Sequence, residues 1–191
     1  MIDSDAFVQR LNRTKAIPVK LSNALMEGIR LNSYGVQETF VSPGNYSSSI
    51  YYIQSGIIRG AIEGPEEKIS TWFKQEGDIV IPQGLFNQQP SEEYINAVTK
   101  ATLIALPFKN LKNVADAYPE VMELIVLLAM EKISEGQYRE KLLRTAKAKD
   151  RYDLFMKNEK YLLKRIAHFI IASYLNVTKE TFSHLYKGLP Y

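Results

Sequence analysis

The stretch "IASYLNVTKETFSHLYKG", Ile171 to Gly188, decides how this 191-residue chain is read. Ile171, Tyr174 and Leu175 share one side of a first short helix, and Ala172 is small where a crossing helix must come close. Asn176 is a residue that tolerates left-handed backbone at a helix C-terminus, and Val177 plugs the corner. Thr178 is a good N-cap for a second helix, with Thr181 rather than the Glu of a capping box three residues on. That second helix turns Phe182 and Leu185 inward. It leaves Lys179, Glu180, Ser183, His184 and Lys187 clustered outward.

Two helices meeting at a sharp corner form a helix-turn-helix, whose second helix offers its first turns to base edges. The exposed set suits that task. Lys179 can neutralise a phosphate or donate to guanine, Glu180 can accept from a cytosine amino group, and Ser183 and His184 can reach a base or a phosphate. Thr178 with its helix N-terminus suits a phosphate, and Lys187 extends the basic face. A helical hairpin that merely closes a small bundle has the same periodicity. The surroundings favour DNA: from Arg139 onward twelve Lys and Arg face five Asp and Glu, a net +7, whereas residues 1–138 carry −4.

Composition narrows the rest. The chain has no cysteine, which removes disulfides, thiolate-held iron–sulfur and zinc sites and a cysteine nucleophile. Its only histidines are His168 and His184, too few and too late for an imidazole metal cage or a Ser-His-Asp triad in the first 167 residues. No enzyme, no metal site and no cofactor is expected. "MIDSDAFVQRLNRTK" at the start lacks the apolar segment of a leader, and no run is long enough to cross a bilayer, so a cytoplasmic protein with no membrane partner is expected.

Residues 4–31 read as helix and loop anchored by Phe7, Leu11, Leu21, Leu25 and Ile29. From Val36 to Pro107, short β-branched and aromatic runs alternate with turn signals, from "SPGN" at 42–45 to "QQPS" at 88–91. That is an antiparallel sandwich or barrel. Within "KISTWFKQ", Ile69, Thr71 and Phe73 read as the inward side. Pro119 then opens a helix of about 30 residues, roughly 45 Å long. Val121, Leu124, Ile125, Leu128, Ile133, Tyr138, Leu142 and Ala146 form its apolar stripe. A helix that long uses only part of its length on a small sandwich. Its unused face meets its own copy in a dimer, or the helix simply lies along its own domain; the dimer is the preferred reading.

The order of sandwich, long helix and helix-turn-helix resembles the Crp/Fnr family of bacterial transcription regulators, and similarity covers nearly the whole chain. "SPGNYSSSIYYIQSGIIRG" at 42–60, "WFKQEGDIV" at 72–80, "GLF" at 84–86, "VTKATLIALP" at 98–107 and "IASYLNVTKETFSHL" at 171–185 are similar to the family's successive segments. "RYDLFMKN" at 151–158 and "IASYLNVTKET" at 171–181 together look like the short-chain subgroup common in Bacteroidetes. The resemblance implies an α+β chain in three parts: a cyclic-nucleotide-binding-like jelly roll at 1–118, a long dimerisation helix at 119–146 and an all-α helix-turn-helix domain at 147–191. It places Lys179, Glu180 and His184 at base-contacting positions, with "GLF" opening a helix in the ligand cassette. The implied partners are double-stranded DNA and a second copy of the chain, with RNA polymerase as a further candidate.

Two departures set expectations of their own. The family's cassette has a glycine and a ribose-holding glutamate before "GLF"; here Ile81 and Pro82 stand there. The expected effector pocket is Ile81, Pro82, Gln83, Gly84, Leu85 and Phe86 with Glu92, Glu93 and Tyr94, where carboxylates replace the phosphate-binding arginine. A cyclic phosphodiester would be repelled, so cyclic AMP is not the expected effector, which stays unknown. The chain also ends in "LPY" at 189–191, where relatives add a β-hairpin wing, so a wingless domain is expected. Two rival readings remain. A metal cupin shares the jelly roll but needs histidines inside it. A ligand-binding or protein-interaction module could keep a helix-turn-helix that no longer binds DNA.

Overall fold

The computed structural model describes residues 2–65 and 67–188; the segment 189–191, on which the expectation of a missing wing rests, lies outside the described residues. The chain divides into two compact units, residues 1–60 with 73–133, and residues 61–72 with 134–191.

The first unit begins with helices α1 (Ser4–Thr14) and α2 (Val19–Met26). Eight strands follow: β1 (Arg30–Tyr34), β2 (Thr39–Val41), β3 (Ser49–Ser55), β4 (Ile58–Ile62), β5 (Ile69–Lys74), β6 (Ile79–Val80), β7 (Tyr94–Ala97) and β8 (Ala101–Pro107). They form two four-stranded sheets, ordered β1-β8-β3-β6 and β2-β7-β4-β5. The registers are antiparallel, as in Leu31 opposite Ile104 and Ile50 opposite Leu106. This is the jelly roll that the turn signals require.

Helices α3 (Phe108–Ala117) and α4 (Glu120–Arg144) follow β8. Phe7, Leu11, Leu21 and Leu25 from the N-terminal helices pack with Ile50, Tyr52, Leu106, Leu111, Leu124 and Leu128 in one core. The Phe7 ring stacks on Tyr52 at 5.0 Å between centroids. Arg10 pairs with Glu131 and Lys15 with Glu123, which ties α1 and the residue beyond it to α4.

The second unit contains residues 61–72, with most of β5, and the end of α4, then α5 (Ala148–Asn158), a 3-10 segment (Lys160–Lys164), α6 (His168–Tyr174) and α7 (Lys179–Lys187). Its core is small and aromatic: Tyr152, Phe155 and Phe182 are buried with Leu142, Leu162, Ile170, Ile171 and Leu175.

Four local expectations need correction. Strand β1 occupies 30–34, inside and beyond the segment read as helix and loop. "RLNSY" has no buried residue to reveal it. The "GLF" segment forms hydrogen-bonded turns over 83–88 rather than a helix start. Helix α4 is 25 residues long, ends at Arg144 before Ala146, and leaves Ile133 53% exposed rather than in its buried stripe. The inward and outward sides of β5 are not those of the alternation. Ser70 is completely buried, while Ile69 and Thr71 are only half-buried. The cause is a helix on that face: Ser70 N–H donates to Ser173 Oγ at 3.0 Å, and its hydroxyl donates to the Ile170 carbonyl at 3.4 Å.

Phe7→Ala should cost about 3–5 kcal/mol of stability, because it opens a cavity in the core and removes the Tyr52 stack. Urea unfolding checks this; a loss below about 1 kcal/mol would mean that α1 is not part of the core.

Candidate nucleic-acid interface

The corner at 175–178 is built as the sequence demands. Leu175 N–H and Val177 N–H donate back to Ile171 and Ala172 carbonyls at 2.9 and 3.1 Å, and Asn176 takes a left-handed φ of 51°. Thr178 caps α7: Thr181 N–H donates to Thr178 Oγ1 at 3.1 Å, and the two threonine hydroxyls lie 3.0 Å apart. Ala172 is buried, as a small residue at a helix crossing is expected to be.

On α7, Phe182 is buried against Tyr152, with ring centroids 5.8 Å apart, and Leu185 is half-buried. Thr178, Lys179, Glu180, His184 and Lys187 are exposed and Ser183 is half-buried, so the six expected residues share the outer side of one helix. Glu180 is held below the usual carboxylate range by its own backbone N–H and by the Thr178 hydroxyl, so it faces outward as an anion. Lys179 is not free-standing. Its ammonium lies 3.6 Å from Glu67 in the β4–β5 turn and 5.4 Å from the centre of the Phe169 ring. Beside it, a groove of about 630 Å³ is lined by Pro65, Glu67, Arg151, Asn176, Thr178 and Thr181.

Beneath this face lies a polar network that the sequence reading missed. Arg139 on α4 donates to the Tyr174 carbonyl at 2.5 Å and to the Ser70 carbonyl at 3.1 Å. Its guanidinium sits 4.0 Å from the centre of the Tyr174 ring, a cation–π distance. Tyr174 and Tyr138 hydroxyls donate to the Glu159 carboxylate at 2.8 and 3.1 Å. Burial pushes Glu159 above the ordinary carboxylate range, against the opposing pull of both tyrosines and Arg139. Burial first, then the Glu159 charge, raises Tyr138 to about 12. Arg151 on α5 donates to four carbonyls. A short-range signal for these roles is absent, since each residue sits in an ordinary basic or polar helical context.

The expected effector residues differ in their surroundings. Gln83 and Glu92 bond to each other twice, at 3.3 and 3.2 Å. Leu85 belongs to the core of the first unit, and Phe86 stacks edge-on against Phe108 at 5.7 Å. Ile81, Pro82 and Glu93 are buried, and Tyr94 is half-buried at the start of β7. Gly84 is required by the turn: its φ is 78°, and a Cβ there would meet the Gln89 carbonyl at 2.1 Å. The sequence reading also passed over a buried cation in the same unit. Arg59 on β4 donates from Nε to Asn96 on β7 at 3.2 Å, and Asn96 donates on to Gln37 at 3.3 Å.

A carboxyl raised by burial binds its proton more tightly in the folded chain than in the unfolded one. Glu159 should therefore make stability fall as pH rises from the ordinary carboxylate value through its elevated folded value. Glu159→Gln should flatten that part of the profile, seen as the difference between the two proteins' melting temperatures across the window. A constant difference would show that Glu159 titrates normally.

Neither a protein-family model nor a curated protein sequence matches the chain. Solved structures do match. FixK2 from Bradyrhizobium japonicum is 16% identical with a TM-score of 0.70 and 83% of each chain covered. The c-di-GMP-responsive global regulator CLP of Xanthomonas campestris is 14% identical with a TM-score of 0.69, covering 89% of this chain and 90% of its own. The catabolite activator protein of Thermus thermophilus is 16% identical with a TM-score of 0.58, covering 94% of this chain and 86% of its own. A jelly roll of two antiparallel sheets, a long helix and a helix-turn-helix, in that order, give this chain the fold of the Crp/Fnr regulators.

Proposed function

We propose that the protein is a dimeric, sequence-specific DNA-binding regulator of transcription of the Crp/Fnr type. The observation that carries this reading is the outer side of α7. Lys179, Glu180, Ser183, His184 and Lys187, with Thr178 at its N-terminus, stand together over a buried Phe182. A helix so presented, on a short corner and in a basic surround, has the chemistry to enter a major groove. The Glu67 pairing of Lys179 is no obstacle. Both side chains are about half exposed, and such a pair is worth roughly 0–1 kcal/mol.

Dimerisation supplies the second recognition helix. Met122, Val126, Met130 and Ile133 follow one another at spacings of four, four and three on α4, and each is more than half exposed. Val121, Leu124 and Leu128 lie on a different side and are buried. A row of four large apolar groups on one side of a helix has the form of a coiled-coil seam. RNA polymerase is a further partner that this reading entertains. On the sensor side, no arginine follows the cassette turn, and Glu92 and Gln83 close on each other. Cyclic AMP is accordingly excluded as effector in this reading.

The test is fluorescence anisotropy at low salt with genomic fragments and the duplex upstream of the protein's own gene. The wild-type chain should bind one fragment selectively. Lys179→Ala with His184→Ala should abolish the selectivity, and Lys179→Ala alone should lower the salt slope by about one. Equal behaviour of wild type and variants would instead favour an interaction module that no longer reads DNA. In parallel, Val126→Glu should turn the dimer into a monomer by light scattering. A dimer that survives the charge places the interface elsewhere.

A further inference from the structure

We infer that Arg151 is the positioning residue of the recognition helix, holding the corner that aims α7 against the end of α4. The inference rests on the reading of α7 as a DNA reader and adds a residue that touches no DNA in that reading. Its geometry is specific. Arg151 Nε donates to the Leu175 carbonyl at 2.8 Å and Nη2 to the Asn176 carbonyl at 3.2 Å. Nη1 donates to the Thr145 and Ala146 carbonyls at 2.8 and 3.0 Å.

The four acceptors belong to two joints. Thr145 and Ala146 form the link between α4 and α5, while Leu175 and Asn176 are the corner between α6 and α7. One rigid, planar guanidinium thus spans both. Asn176 is the left-handed residue, so the direction in which α7 leaves depends on its backbone angles, and its carbonyl is one of those held. α7 itself begins only two residues beyond Thr178's predecessor, leaving little chain to absorb an error. Carbonyls carry no net charge, so salt does not screen this contact as it screens an ion pair. A lysine cannot replace it, because a single ammonium cannot reach acceptors on both sides of the fork.

The test compares Arg151→Lys with wild type on two probes: a duplex enriched by the wild-type chain from a random pool, and poly(dI-dC). Affinity for the enriched duplex should fall about tenfold, equivalent to roughly 1.4 kcal/mol. Binding to poly(dI-dC) should stay within about twofold, with an unchanged salt slope, because the phosphate contacts remain. The cysteine-free chain permits a direct measurement as well. Spin labels at Gln137→Cys and Lys187→Cys, diluted with unlabelled chain, should give a narrow distance distribution that broadens in Arg151→Lys.

A parallel loss on both probes with a salt slope lower by about one would make Arg151 a phosphate contact and overturn the inference. So would a lower melting temperature with an unchanged ratio between probes. If the Lys variant does not fold, Arg151→Met, which keeps the stem, is measured in its place. Failure of both to fold would make Arg151 a residue of the fold alone. If the wild-type chain enriches no duplex, the DNA reading itself falls, and this inference falls with it.

Discussion

The second unit depends on how the C-terminal end of α6 is satisfied. The helix has seven residues, too few to be stable alone, and its last carbonyls have no partner within it. Three successive carbonyls, of Tyr174, Leu175 and Asn176, accept instead from Arg139 and Arg151. Two cations at a helix C-terminus also oppose the negative end of its dipole. Tyr174 adds to the hold, with its ring under Arg139 and its hydroxyl on Glu159. A domain with a core this small cannot fix its helices by burial alone, so charge-assisted hydrogen bonds supply the precision.

This changes what the basic character of the segment means. Arg139 and Arg151 are counted in its net +7, yet both point at backbone carbonyls. Arg144 and Lys149 pair along their own helices with Glu140 and Asp153. The long-range field is unaltered by carbonyl partners, because those partners are neutral, so steering of a polyanion survives. Contact is another matter: a guanidinium held by four carbonyls cannot also clasp a phosphate. Charge composition thus speaks to encounter, and under the proposed function the side chains that would read DNA must be sought on α7.

The jelly roll was legible because its strands are short, β-rich and separated by Gly and Pro turns, and because Phe7, Leu11, Leu21 and Leu25 keep helical spacing. The corner was legible because its demands are local: Asn176 for the left-handed angle and Thr178 for the cap. What escaped depends on contacts between distant residues. Strand β1 buries nothing and so shows no alternation. Ser70 looks like an outward polar residue until α6 covers it, more than 90 positions later in the chain. Arg139 and Arg151 look like any surface arginine in a basic stretch. Ile133 was assigned to the wrong side of α4 because "LIVLLAM" is apolar nearly all round, which blurs the helical phase.

The β5 strand shows why a buried polar residue can be retained at a place where an apolar one would pack. Within the second unit Ser70 uses both backbone groups and its hydroxyl: N–H to Ser173, carbonyl to Arg139, hydroxyl to Ile170. An alanine there would lose the hydroxyl's long hydrogen bond to Ile170. A larger apolar side chain would push α6 away and strip Arg139 of an acceptor while leaving its charge buried, which is the costlier error. Small size and full hydrogen bonding are therefore one requirement. The residue that meets it sits on the same strand as Phe73, a large apolar side chain that is also buried. A single strand that answers to two different packing rules within four residues cannot follow the period-two pattern, and the failure of that pattern at Ser70 marks where α6 covers the strand.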